Sequence, residues 1–325
     1  MEKEVDIVAL GELLIDFTEA GYSAGGMKLF EQNPGGAPAN LLTVVSHMGY
    51  RTAFVGKVGK DMHGSFLKQT LEREGICTDY IVEDENCFTT LAFVDLDKDG
   101  ERQFSFARKP GADTQLKKED LDETLLKKCK IFHVGSLSLT DEPSRDTTLE
   151  AIHIAKKEGA LISYDPNYRA SLWKEEKTAI EMMKTIIPLA DIMKVSDEES
   201  FLLTGEKDYK TAATVLLSMG PKLVAVTLGS DGVYIVTEKM SGHVPAFCAE
   251  AVDTTGAGDS FWGGFLSQYL KGFRKIDEME WPELEECALY GNATAALCVQ
   301  RRGGIPSIPS GEEVQQQIKT LLRVK

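Results

Sequence analysis

The 325-residue sequence predicts an α/β fold: a single domain over residues 1–325, with a mostly parallel central sheet flanked by helices and a small β-sheet set apart from it. Three observations carry this. From residue 130 onward, short apolar runs alternate with helix-like segments, the order expected of parallel strands joined by crossover helices. The run 223–228 (LVAVTL) is continuously apolar, as a strand buried on both faces would be. Between residues 89 and 108 the texture changes to two strand-like runs with no helix between them.

Taken in order, residues 5–10 form a first strand ending at Gly11, and 13–19 a second β-like piece. A helix fits 38–48: Leu41, Val44, Val45 and Met48 recur at helical spacing, Pro38 suits the first turn and Gly49 the end. Residues 52–58 read as a strand and 61–74 as a helix stopped by Gly75. The runs 89–96 and 101–108 are joined by "DKDG", where Asp99-Gly100 is a hairpin signal. Strands at 131–134, 161–164 and 192–195 then precede helices near 144–158, 177–187 and 197–203.

Composition narrows the function classes. The chain is 42% hydrophobic and 27% charged, suiting a globular core, and its net charge of −15 disfavours non-specific nucleic-acid binding. A polyanionic ligand would therefore need a local positive device. The six cysteines contain no C-x-x-C pair and read as reduced thiols in a cytoplasmic protein. The five histidines are scattered, without the spacing of a zinc site. No segment reads as a signal peptide or a membrane span.

The stretch "DTTGAGDSFWGGF" (253–265) carries the chemistry. Trp262, Phe265, Leu266 and Tyr269 recur at helical spacing, so a helix begins near Gly258 or Asp259. Its first N–H groups lack internal partners and carry partial positive charge, and Gly256 and Gly258 would let an anion approach the backbone without a lysine. The G-K-[ST] ending of a Walker loop is absent. The plain alternative is that Asp259 or Thr255 merely caps the helix. Two threonines and a second carboxylate, Asp253, crowd the same turn, and Gly263-Gly264 falls inside the helix at a propensity cost of up to ~1 kcal/mol each. That cost implies close packing. A carboxylate beside a bound phosphoryl group can take the proton of an attacking hydroxyl, so the expected chemistry is phosphoryl transfer to an alcohol with Asp259 as base.

This stretch resembles the C-terminal signature of the ribokinase-like (phosphofructokinase-B) carbohydrate kinases. "NPGGAPANLLTVVSHMGYRTAFVGKVGKDMHG" resembles their N-terminal signature, and "ARKPGAD", "IFHVGSLSL", "SYDPNYR" and "MKVSDEESFLLTG" are similar to segments of the fructokinase branch. The resemblance implies a ribokinase-like fold with a β lid at about 12–34 and 86–112. It implies Asp259 as general base, and Gly256, Ala257 and Gly258 as the anion hole. Sugar contacts would come from Asp16, Gly35, Gly36 and Asn40, with Arg108 and Arg169 near the sugar and the phosphate path. The nucleotide would meet Lys194, Thr227, Gly229, Gly232 and Asn292. Asp253, Thr255, Cys298, Arg301, Gly303 and Ser307 fall where relatives hold a monovalent cation, largely through backbone carbonyls. ATP, Mg²⁺ and K⁺ are thus the implied cofactors, and a homodimer through the lid is in keeping with relatives.

One departure stands out. Where many relatives carry N-x-x-E, linked to Mg²⁺, this chain has Ser196 and keeps Glu199; fructokinases often share that serine. Bland readings remain beside these. Gly35-Gly36 could be only a turn, Asn40 a solvated or backbone-bonded amide, Arg108 and Arg169 ion pairs, and Asp231-Gly232 a hairpin turn first. Kinases of 2-keto-3-deoxygluconate, ribose or a nucleoside, and a non-catalytic sugar or nucleotide sensor, are the competing functions. A nicotinamide dehydrogenase is disfavoured, because no G-x-G-x-x-G opens a helix after the first strand.

Overall fold

The chain begins with strand β1 (Val5–Leu10), then the pair β2 (Leu14–Tyr22) and β3 (Lys28–Gly35), then helix α1 (Ala37–His47). Strand β4 (Thr52–Gly59), helix α2 (Met62–Arg73) and strand β5 (Ile81–Asp84) follow, with the pair β6 (Leu91–Leu96) and β7 (Arg102–Ala107) after them. Next come α3 (Glu123–Lys128), β8 (Cys129–Val134), α4 (Ser144–Lys157), β9 (Leu161–Tyr164), α5 (Glu176–Ile186), β10 (Ile192–Ser196), α6 (Asp197–Thr204), α7 (Tyr209–Ser218) and β11 (Leu223–Thr227). Strands β12 (Val233–Thr237) and β13 (Ser241–Val244) lead into α8 (Ala257–Gly272), α9 (Trp281–Cys298) and α10 (Gly311–Leu322). These are the elements of a computed structural model that describes residues 3–96 and 102–322. The Asp99-Gly100 turn expected from the sequence lies outside the described residues.

Nine strands form one sheet in the order β13-β12-β11-β10-β9-β8-β1-β4-β5. Its pairings are parallel except those of β12, which runs against both neighbours. The strand order reverses beside β1: β4 and β5 build outward on one side, β8 to β13 on the other. Ligands of open α/β sheets bind at the carboxyl ends of strands at such a reversal. The second sheet, β3-β2-β6-β7, is mixed: β2 pairs β3 antiparallel and β6 parallel, and β6 pairs β7 antiparallel. It is the lid; β2, β6 and β7 lie inside the segments expected at about 12–34 and 86–112, and β3 runs one residue past the first, to Gly35.

Side-chain alternation along β1 divides the core in two. Ile7 and Ala9 join the layer containing Leu41, Leu67, Trp262 and Leu284 from α1, α2, α8 and α9. Val8 and Leu10 join the layer containing Leu125, Ile152, Met183 and Leu216 from α3, α4, α5 and α7. Burial on both faces explains why these strands read as continuous apolar runs.

Several local expectations hold to the residue. Asp61 caps α2 by accepting the N–H groups of His63 (2.9 Å) and Gly64 (2.8 Å), and Gly75 follows the helix with φ of 78°. The run expected to start at residue 89 begins its strand at Leu91, because Thr89 is drawn to Asp61 and Thr90 to Asp113 by hydrogen bonds. The close packing implied by Gly263-Gly264 is present. A Cβ on Gly263 would lie 2.7 Å from Val44 Cβ of α1, and one on Gly264 would lie 2.8 Å from the Tyr290 carbonyl of α9. Gly264→Ala should therefore lower stability by about 1–3 kcal/mol, read as a lower urea midpoint; an unchanged midpoint would mean that α8 and α9 can separate at little cost.

Candidate active site

Helix α8 starts at the end of a long connection from the sheet's antiparallel edge. Its N-cap is Gly256, with φ of 76° and no side-chain cap. The capping alternative for Asp259 and Thr255 is thereby corrected: Asp259 is the third helical residue, and its carboxylate turns inward. It is 5% exposed. One oxygen accepts the amide N–H of Asn40 from α1 and the other that of Asn167 from the loop after β9, both at 2.8 Å. Burial, then the nearby Asp165 carboxylate, push its pKa up to about 6, against the Asn40 hydrogen bond and the charges of Lys194 and Arg169.

The expectation of an anion cradle without lysine needs correcting. Lys194 on β10 places its Nζ so close to the turn that a Cβ on Gly258 would lie 2.7 Å from it. The ammonium is buried and pairs with Asp165 at 2.9 Å. Burial would pull its pKa down, but Asp165, Glu199 and Asp259 together hold it above its usual value, so it stays charged. The first turn of α8 and this ammonium together concentrate positive charge at one place. Beneath them, Trp262 Nε1 donates to Ser163 Oγ at 2.8 Å, and Ser163 Oγ is 2.9 Å from His133 Nδ1. Burial, reinforced by Lys194, pushes the His133 pKa down to about 3, so the imidazole is neutral.

A cavity of ≈ 770 Å³ opens over this floor, between the strand ends and the lid. Asp16, Gly36, Asn40, Arg169, Lys194, Glu199 and the turn 252–259 line it, with Gly303 beyond. Gly35 is small for a reason: its Cβ would lie 2.5 Å from Asp16 Oδ2. Gly36, at φ of 122°, would place a Cβ 2.4 Å from the Glu12 carbonyl, so these glycines do more than make a turn. Asn40 is neither solvated nor backbone-bonded; its amide goes to Asp259, and its Oδ1 is buried without a partner. Asp253 has a separate task. Its oxygens accept the N–H groups of Thr255 (2.8 Å) and Gly303 (3.0 Å), tying the two loops. Cys298 reaches toward the Thr255 carbonyl at 3.7 Å and lies 3.0 Å from Ser307 Oγ, which joins four of the expected cation-site residues into one cluster with Gly303 beside it.

Other expected residues sit elsewhere. Arg108 is not in the cavity lining: its guanidinium is buried against Asp113 (2.6 and 2.8 Å), Thr140 Oγ1 (2.8 Å) and the Leu137 carbonyl (3.0 Å). The Arg301 side chain pairs with Glu313 of α10, which leaves its expected backbone carbonyl untouched, and its neighbour Arg302 lines the cavity. Adjacent residues point in different directions, so "QRRGG" alone could not separate them. Thr227, Gly229, Gly232 and Asn292 gather outside that cavity near the end of β11. Gly229 and Gly232 form the turn into β12, as expected of Asp231-Gly232, and Asn292 donates to the Val244 and Pro245 carbonyls. Glu199 accepts the N–H groups of Tyr168 (2.7 Å) and Ser196 (2.8 Å), while Ser196 Oγ accepts that of Glu199 (3.1 Å). The serine that departs from N-x-x-E is thus half of a capping box.

Sequence reasoning missed Glu12, Asp165, Asn167 and Arg302. Glu12 is 4% exposed and accepts the Ala37 N–H at 2.9 Å, which caps α1 from the end of β1; burial pushes its carboxyl up to about 7. The signal available for three of them was position: Glu12 comes just after the end of β1, and Asp165 and Asn167 just after that of β9, whereas Arg302 lies beyond helix α9 and carried no such signal.

This fold and this floor belong to a phosphotransferase, and the family can be stated: residues 5–311 match the pfkB family of carbohydrate kinases, and the chain belongs to it. Among its relatives, fructokinase-1 of Zea mays is 41% identical over 316 residues, covering 96% of this chain and 97% of that protein. The ATP-bound fructokinase of Xylella fastidiosa superposes with a TM-score of 0.90 at 32% identity, over 98% of this chain and 99% of the other. A double mutant of the fructokinase of Vibrio cholerae, bound to fructose, ADP and potassium, has a TM-score of 0.87 at 30% identity, over 97% and 99% of the two chains.

Breaking the Arg108–Asp113 pair should be costly, because it leaves a buried guanidinium uncompensated. Asp113→Ala should lose about 3–5 kcal/mol by chemical denaturation; a loss typical of a surface pair would show that water reaches Arg108.

Proposed function

We propose that the protein is an ATP-dependent fructokinase, converting D-fructose and ATP to fructose 6-phosphate and ADP with Asp259 as general base. The observation that carries this is Asp259 itself: a buried carboxylate at the first turn of α8, beside Lys194, on the floor of a cavity roofed by a lid. A pKa near 6 leaves it ionised at neutral pH yet basic enough to draw a proton from the sugar's 6-hydroxyl. Of the expected anion hole, the N–H groups of Gly256 and Gly258 receive the transferring phosphoryl group with the Lys194 charge alongside, while that of Ala257 already donates to the Thr254 carbonyl (3.2 Å). Asp16, Gly35, Gly36 and Asn40 face the sugar, and Arg169 guards the mouth. Full-length relatives that are fructokinases support the choice of sugar.

ATP lies from the shelf of Thr227, Gly229, Gly232 and Asn292 toward the α8 turn. Magnesium bound with the nucleotide would offset its charge. Glu199, whose two oxygens each accept a backbone N–H, would meet it through water. The cluster of Asp253, Thr255, Cys298, Gly303 and Ser307, with the Arg301 carbonyl, offers hard oxygens and a single carboxylate. That suits K⁺ and would keep the α8 turn in place. The cytoplasmic assignment rests on composition, six cysteines without a C-x-x-C pair. Among the described residues no helix is long and apolar enough to cross a membrane.

Asp259→Asn should reduce turnover roughly 10²–10⁴-fold. In the wild type, kcat should fall as pH drops through about 6, where the carboxylate takes up a proton and can no longer accept one. The deciding measurement is ATP consumption across fructose, ribose, a nucleoside and 2-keto-3-deoxygluconate, with and without K⁺. A preference for the sugar acid would instead assign Arg169 and Arg302 to its carboxylate, and turnover within a few-fold in Asp259→Asn would remove the base.

A homodimer through the lid rests on the lid's outer face, where Phe17 stacks on Phe93 (5.2 Å between centroids) and Phe30 meets Phe93 edge-on (6.0 Å). Phe30 and Phe93 are 39% and 38% exposed. Phe93→Ser should shift the mass measured by light scattering from two chains to one; a wild-type protein that is already monomeric would remove the proposal.

A further inference from the structure

Asn167 is the residue of the site that nothing else accounts for. It is 7% exposed and, with φ of 46°, occupies the left-handed region, where glycine would be at ease. A non-glycine residue persists there only when its surroundings hold it. They do. Asp165 N–H donates to the Val134 carbonyl (3.2 Å) and Ser136 N–H to that of Pro166 (3.0 Å). Asn167 N–H donates to Asp165 Oδ1 (3.1 Å) and Tyr168 N–H to Glu199 Oε1 (2.7 Å). Every residue of 165–168 is therefore anchored, and the anchored loop presents the Asn167 amide to Asp259 Oδ1 at 2.8 Å.

We propose that Asn167 is a positioning residue for the catalytic base: with Asn40 it holds one carboxylate oxygen each, fixing the rotation of the Asp259 carboxylate and favouring its ionised form. Two donors on two oxygens leave the carboxylate no freedom about its last torsion, whereas one would. This rests on Asp259 being the base. The charged and titratable groups that face Asp259 are Asp165 and Arg169 from the same loop, Lys194 from β10 and the Cys298 thiol from α9. From α1 it meets the neutral Asn40. Of these, Asp165 opposes ionisation, while Lys194 and Arg169 favour it. Removing the Asn167 donor destabilises the carboxylate, so its pKa rises and the acid limb of kcat moves to higher pH.

Asn167→Gly separates the amide from the backbone, because glycine accepts the left-handed conformation without strain. Its unfolding midpoint should stay near that of the wild type. With fructose and ATP, kcat should fall about tenfold, both KM values should stay within about threefold, and the acid limb should rise by about one pH unit. Asn167→Asp, the same shape with the donor replaced by a carboxylate, should move the limb further up. A folded Asn167→Gly that keeps kcat and its acid limb overturns the proposal. So does one that raises KM for fructose at constant kcat, which would make Asn167 a sugar ligand. Should Asn167→Gly not fold, an unshifted limb in Asn167→Asp overturns it instead. The two readings fail separately: an active Asp259→Asn removes the base itself, while an inactive Asp259→Asn with unshifted Asn167 variants removes only the positioning role.

Discussion

Everything at the floor of the cleft depends on keeping charges out of water where β9, β10 and α8 converge. Asp165, Lys194 and Asp259 are each nearly inaccessible. Such groups are tolerable only when paired or supplied with hydrogen bonds. Asp165 and Lys194 satisfy each other, which leaves Asp259 with neutral amide partners and a neighbouring negative charge. That inequality makes one carboxylate basic and the other a structural counter-ion. Neutral His133 and the Ser163–Trp262 hydrogen bond below them keep α8 from shifting relative to the sheet.

The sheet places this floor where it can be used. Because the strand order reverses beside β1, the carboxyl ends of β1 and β8 diverge into a crevice, and α8 points its N-terminus into it. The lid is tied down along its strands, where Gln32 Nε2 of β3 lies 3.3 Å from His63 Nδ1 of α2 and Phe17 of β2 meets the same ring edge-on, and also at its base. Thr90 at the foot of β6 and Arg108 beyond β7 both end on Asp113, and Arg108 also grips Thr140 and Leu137 after β8. Of the two readings of Arg108 in the sequence, sugar neighbour or ion pair, the fold gives the ion pair, buried between the lid and the loop after β8.

Local signals made much of this legible. Helices α1, α2 and α8 show clear apolar stripes with glycine or aspartate at their ends, and β1, β9, β10 and β11 are short apolar runs, so all were readable. Helix α9 was not, although it is 18 residues long. It is packed on more than one side with small residues such as Ala288, Gly291 and Ala293, and a helix buried most of the way round shows no single stripe. The edge strands β5 and β13 are four residues each and carry little pattern.

The sequence by itself determined the α/β architecture and the two glycine-rich turns, and singled out Asp259 as the candidate base, because these depend on residue type and short-range spacing. Tertiary structure alone decided what those residues touch. Asn40 and Asp259 lie 219 positions apart yet share a hydrogen bond, and Asn167 reaches the same carboxylate across 92. Whether a lysine backs the anion cradle, which of Arg301 and Arg302 faces the cavity, and whether Arg108 is free or paired all follow from side-chain direction and burial. Those are set by packing between elements distant in the chain, and no local pattern encodes them.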